Sequence, residues 1–232
     1  MNRLMALEGR WFMGRFAPRE LLEGIDLYLR REAPGEREKI LDTIRVRAGE
    51  IATQDADMPV DPQSEGMLAL TSTVQAAYEV LLPVLGGDER RTVLFLRHVV
   101  GEVARRPFEV AFSALGRRPE PMDAIEKACR KEAPLYGDYY EMAFERPGPG
   151  NFEMRVGRCF FLDHFTRRGN PGLTTVMCAW DANWMRAVDP AVSGLRAERT
   201  TLMSQGGDAC RFRVVATDDP LAAYSDALEE LA

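Results

Sequence analysis

Histidine and lysine are nearly absent from this chain. Its 232 residues hold two histidines, His98 and His164, and three lysines, Lys39, Lys127 and Lys131, among 30 basic side chains. Two histidines exclude a three-histidine metal centre. So few lysines leave little room for Schiff-base or lysine-nucleophile chemistry. The four cysteines, Cys129, Cys159, Cys178 and Cys210, stand 30, 19 and 32 positions apart. They form no CxxC pair and no compact secreted framework, so free thiols are expected. No apolar run approaches the roughly 20 residues of a membrane span, and the opening MNRLMALEGRWFMGRFAPRE scatters arginines where a secretory signal needs an apolar stretch. GxSxG, HExxH and GxxxxGKS/T are missing, as is GxGxxG in strand–helix context. Positive charge is in deficit too: 36 acidic against 30 basic residues give a net charge of −6. A phosphate-binding surface is therefore disfavoured, and neither nucleic acid nor membrane is expected as a partner. The chain reads as a cytoplasmic protein acting on a small molecule, with no oligomeric state indicated. Arginine in place of lysine fits a GC-rich bacterial source and a role in secondary metabolism.

What is present divides into two textures. Residues 1–134 have helical periodicity. Leu21, Leu22, Ile25, Tyr28 and Leu29 mark a helix from Pro18 to Ala33, and Ile40, Leu41, Ile44 and Ile51 mark one from Glu36 to Thr53. A polar loop is expected over Asp55–Gly66. Helices follow over Met67–Leu82, Arg90–Arg105, Pro107–Leu115 and Met122–Lys131. Residues 135–232 change to period two. Tyr139–Arg146 and Asn151–Val156 flank a PGPG turn; two short helices follow, over Cys159–Arg167 and Thr174–Val188. Leu195–Met203 and Cys210–Ala216 form a second strand pair, and DPLAAYSDALEELA closes the chain as a short helix behind Asp218 or Asp219 and Pro220. The expected fold is α+β, a helical half packed on a four-stranded antiparallel sheet in β-β-α-α-β-β order, the two regions making one unit.

Candidate chemistry concentrates between Cys159 and Phe212. Cys159 and Asp163, at i and i+4, share a helix face; Cys178 and Asp181, at i and i+3, share another, flanked by Trp180 and Trp184. Along the last strand Cys210, Phe212 and Val214 point to the core, Arg211 and Arg213 away. Three cysteines and two aspartates thus have reason to face the space between helices and sheet. Plainer readings stand beside each. A buried cysteine is most often a small hydrophobe, and tryptophans at i, i+4 more often pack than stack on a ligand. His98 lies in an apolar helical run, whereas His164 beside Asp163 is an open candidate. Arg196, Arg199, Arg211 and Arg213 read most simply as exposed strand faces. Cys129 is expected to be structural, with Glu132 solvated at its helix end.

Three blocks, RCFFLDHF, TTVMCAWD and LRAERTTLMSQGGDACRFR, together resemble the signature region of the L-2-amino-thiazoline-4-carboxylic acid hydrolase family, over about residues 151–215. The GGDACRF block is also similar to the end of 4-vinyl-reductase-type ligand-binding domains. The first resemblance implies hydrolytic opening of a small carboxylated cyclic amidine. In that setting Cys178 is the preferred nucleophile, with Cys159 the alternative, and Asp181 the amidine anchor. Asp163 or His164 serves as acid and base, while Cys159 and Cys210 line the site. Trp180, Trp184 and an inward-turned Arg199 contact the substrate. No cofactor is required. Two other classes compete: a non-catalytic small-molecule-binding domain, and a structural protein holding zinc through Cys159, Cys178 and Cys210.

Overall fold

The computed structural model describes residues 3–228. Helix α1 (Arg3–Trp11) runs through a π-helical stretch, Phe12–Phe16, directly into α2 (Ala17–Glu32), and α3 (Arg37–Gln54) follows. Helix α4 (Pro62–Val84) starts earlier than the expected Met67. Asp61 caps it, accepting from the Ser64 amide while the Ser64 hydroxyl binds the Asp61 backbone, and Pro62 presets the first turn. The expected loop therefore shrinks to residues 55–61. Pro83 does not stop α4 before its last turn. By length and composition α4 is apolar enough to cross a membrane. Here it is the central strut of the helical core, with Met67, Leu70, Val74, Ala77 and Leu81 buried. Gly66 lets α1 press against it, since a Cβ there would come within 2.9 Å of the Arg10 carbonyl oxygen. Helices α5 (Glu89–Glu102), α6 (Arg105–Gly116) and α7 (Pro121–Glu132) complete the helical half.

Strands β1 (Glu141–Gly148) and β2 (Asn151–Arg158) form the expected hairpin, then come α8 (Phe160–Arg167), α9 (Thr174–Arg186) and the single turn α10 (Pro190–Ser193). Strands β3 (Leu195–Thr201), β4 (Cys210–Ala216) and β5 (Ser225–Asp226) finish the sheet in the order β1-β2-β4-β3-β5. Phe152, Val156, Leu195, Ala197, Phe212 and Val214 bury one face. The other carries a charge lattice in which Arg213 bridges Glu153 and Glu198, and Arg211 pairs with Asp208. Helix α9 lies against β3 and α7 against β2, while α9 also packs on α5 and α6, so the helical half closes over the sheet.

The sheet corrects one expectation. Among the described residues it has five strands and is mixed, because β5 runs parallel to β3. The expected C-terminal helix is not formed over residues 219–228; residues 229–232 lie outside the described part. The reason is Arg199. It alternates inward with Leu195 and Ala197, which buries its guanidinium. A buried cation demands a partner. Asp226 supplies it with two hydrogen bonds, accepted from Nε at 2.8 Å and from the second terminal nitrogen at 2.7 Å. Ala227 donates its amide to the Arg199 carbonyl at 3.0 Å. That pairing outweighs the helical propensity of the segment.

Candidate active site

A cavity of about 90 Å³ opens between α6, α7, α8, α9 and the inner sheet face. At roughly 10–15 Å³ per water-sized sphere, this is room for a single small ring. Its walls are mainly Phe108, Phe112, Phe161, Trp184, Phe212, Met142, Met154 and Val156. All four cysteines reach it. Cys159 occupies the N-cap position of α8 with its sulfur 3.6 Å from the Tyr140 hydroxyl. Cys178, on the inner face of α9, stands 3.6 Å from the Ser204 hydroxyl. Cys210 opens β4 and accepts the Met203 amide at 3.3 Å. The fourth is Cys129, expected to stand apart. Helix α7 is tied to the hairpin by Arg146 with Glu126 and Asp123, and this brings Cys129 and Glu132 over the cavity.

Burial works against ionisation of all four thiols. Burial pushes Cys129 up to about 12 and Cys159 up to about 12. At Cys159 the amides of Leu162 and Phe161 and the Tyr140 hydroxyl act in the opposite direction without cancelling it. Burial raises Cys178 further, although Arg199 opposes it, and raises Cys210 as well. The helix-start advantage expected for Cys159 is overridden by desolvation.

Asp181 is the polar feature of α9. One turn beyond Cys178, it lies deep in the protein yet keeps a third of its side chain accessible because it opens on the cavity. Burial lifts its carboxyl to about 6, against the pull of Arg199 and with a further push from Asp226. Arg199 holds it from behind at 3.4 Å and gives the same nitrogen to the Cys178 carbonyl at 2.9 Å. Glu132 also lines the cavity, its carboxyl raised by burial. Tyr136 and Tyr140 complete the polar set; burial is the main cause that holds both phenols protonated.

Four of the residues singled out in the sequence lie elsewhere. Asp163 accepts the Tyr139 hydroxyl at 2.9 Å and faces Arg158 at 3.7 Å, away from the cavity. His164 is sealed in the helical core, its Nε2 3.1 Å from Asp55, and desolvation lowers it to about 4, so it is neutral at pH 7. Arg167 and Arg168 also converge on Asp55, so the cluster pins α8 to the end of α3. Trp180 is core: it stacks on Phe12 at 5.5 Å and donates to the Val103 carbonyl at 2.9 Å. Trp184, on the Asp181 side of the same helix, does line the cavity. Arg199 is buried behind the wall, with no surface for a ligand.

Tyr136, Tyr140 and Ser204 were not singled out, and Glu132, expected to be solvated at its helix end, lines the cavity instead. Glu132 and Tyr136 stand at i+3 and i+7 from Cys129, a spacing that the break at Pro134 obscures. Among the described residues, no three His, Cys, Asp or Glu side chains are grouped as a metal ion requires.

The family model of the L-2-amino-thiazoline-4-carboxylic acid hydrolases matches residues 72–214. This span extends well into the helical half, from the middle of α4 to β4, and contains every residue that lines the cavity. No curated protein matches the chain. The matched span covers more than half of its length, and the chain belongs to the L-2-amino-thiazoline-4-carboxylic acid hydrolase family.

Proposed function

We propose that the chain is a hydrolase that opens a small cyclic amidine in this cavity, with Asp181 as the group that moves the proton. One observation carries the reading: of the two carboxyls that line the cavity, Asp181 is the one that buried Arg199 contacts from behind, at 3.4 Å. A carboxyl near 6 is mostly ionised at neutral pH yet returns a proton readily. Water oxygen bonds to the carbon of the protonated amidine as one water proton passes to Asp181, and the C=N electron pair moves onto nitrogen, which becomes neutral. The tetrahedral adduct then closes a C=O bond and expels the ring sulfur or nitrogen, which receives the proton back from Asp181, while the hydroxyl proton leaves to solvent. No oxidant or reductant enters the balance.

The sequence favoured Cys178 as nucleophile. In the reading proposed here it shapes the pocket as a neutral thiol, with Cys159 and Cys210. Burial pushes the Cys178 thiol well above its ordinary range, which leaves very little thiolate at pH 7. Asp181→Asn should lower kcat for ring opening of 2-aminothiazoline compounds by about 10²–10⁴-fold, while Cys178→Ser stays within a few-fold. Iodoacetamide should label every cavity thiol slowly. An inactive, folded Cys178→Ser together with rapid labelling of Cys178 in the parent would restore the covalent mechanism.

The protonated thiols also favour a second reading, a binding cavity without turnover. It expects saturable ligand binding and no ring-opened product after prolonged incubation.

A further inference from the structure

The polar lining of the cavity is one-sided in charge. It holds two carboxyls, Asp181 and Glu132, and among the described residues no arginine, lysine or histidine. The Arg199 guanidinium sits behind the Phe212 ring, 5.5 Å from its centroid, and its hydrogen bonds go to Asp226, the Cys178 carbonyl and Asp181. It presents no surface to an occupant. Glu132, by contrast, has no side-chain hydrogen bond or ion pair within 4 Å among the described residues, although it faces the same space. The remaining polar groups are the Tyr136 and Tyr140 phenols, the thiols and two hydroxyls, Thr174 and Ser204.

We propose that this pocket selects a small ligand with a cationic nitrogen head, an amidinium or ammonium, on an apolar body, and rejects one that bears a free carboxylate. The proposal rests on the cavity being the substrate site and narrows its substrate class to cyclic amidines without an acid group. The physical case is a balance of charge in a largely apolar cavity. A cationic N–H head donates charge-assisted hydrogen bonds to Asp181 and Glu132 and lies among aromatic faces. A carboxylate brought into the same volume loses its hydration and faces two carboxyls, with no cation among the described lining residues to pair with. The phenols donate to it only as neutral groups, which do not offset that loss.

Isothermal titration calorimetry of the full chain near neutral pH tests this with a matched pair: 2-amino-2-thiazoline, and the same ring carrying the 4-carboxylate. The acid-free amidine should bind at least roughly tenfold more tightly. Glu132→Gln should weaken it by a similar factor and leave the acid's binding unchanged or improved. Equal or tighter binding of the acid by the parent protein overturns the proposal, as does binding of neither compound at millimolar concentration. The parent comparison decides this even if a variant fails to fold. Ring opening, followed on the same samples by thiol release and mass spectrometry, separates the two readings. A tightly bound amidine that is never opened refutes the hydrolase and leaves the selectivity standing. A tightly bound acid that is opened does the reverse.

Discussion

Removing the Asp226 carboxylate tests how the C-terminal strand supports the site. Arg199 and Asp226 are both buried and joined by two short hydrogen bonds, at 2.8 and 2.7 Å. Asp226→Ala leaves the guanidinium with the Cys178 carbonyl and the longer contact to Asp181. Breaking a buried pair from one side costs about 3–5 kcal/mol. At an unfolding entropy of about 2.1 cal/mol/K per residue, a chain of this length should lose about 6–10 °C in Tm. Thermal and urea unfolding of Asp226→Ala measure that loss. The double variant Arg199→Met, Asp226→Leu should recover most of it, because apolar side chains of similar volume need no partner. A second effect reaches the cavity. Asp226 pushes the Asp181 carboxyl up while Arg199 pulls it down. Asp226→Ala should therefore move Asp181 below 6 and shift the acid limb of the activity profile to lower pH. A loss under about 1 kcal/mol, with the profile unmoved, would show that β5 is not docked on β3 as described.

Three further outcomes are expected. Asp181 is raised from 3.8 to about 6 on folding, so its contribution is fully present below 3.8 and lost as pH rises through 6. Asp181→Asn should gain stability relative to the parent between pH 4 and 8, by at most ~3 kcal/mol before screening by cavity water; urea midpoints that keep a constant difference across that range refute it. His164 has the opposite sign, lowered from 6.5 to about 4, so its contribution is present above 6.5 and lost as pH falls through 4. His164→Gln should flatten the acid side of the stability curve by about 3 kcal/mol, and an unchanged slope would show that the imidazole is not sealed in. Cys129 lines the cavity as a neutral thiol, so Cys129→Ser should hold turnover within a few-fold while Cys129→Phe fills the pocket and abolishes binding; full activity in a folded Cys129→Phe protein moves the site elsewhere.

Local spacing made a good part of this molecule readable in advance. The i, i+3 step from Cys178 to Asp181 put both on one helix face, and period two along β4 turned Cys210 and Phe212 inward; both facings depend only on backbone geometry. The same period along LRAERTT aligns Arg199 with Leu195 and Ala197, so its burial was legible, although strand arginines were read as exposed. Other features depend on groups far apart in sequence. Asp163 and His164 follow Cys159 closely, but α8 sends them toward Tyr139 and Asp55, partners 24 and 109 residues away. The fifth strand forms because a buried guanidinium needs a carboxylate, a demand that helix propensity in residues 219–232 cannot register. The same holds for protonation. A cysteine at a helix start reads as activated when taken alone, and only packing decides that desolvation outweighs the amides around it. Helical periodicity and strand alternation were set by the sequence itself, because they arise from neighbours on the chain. The lining of the cavity and the contact between Arg199 and Asp181 were decided by the docking of α7 and β5, because charge and solvation depend on everything within several ångströms.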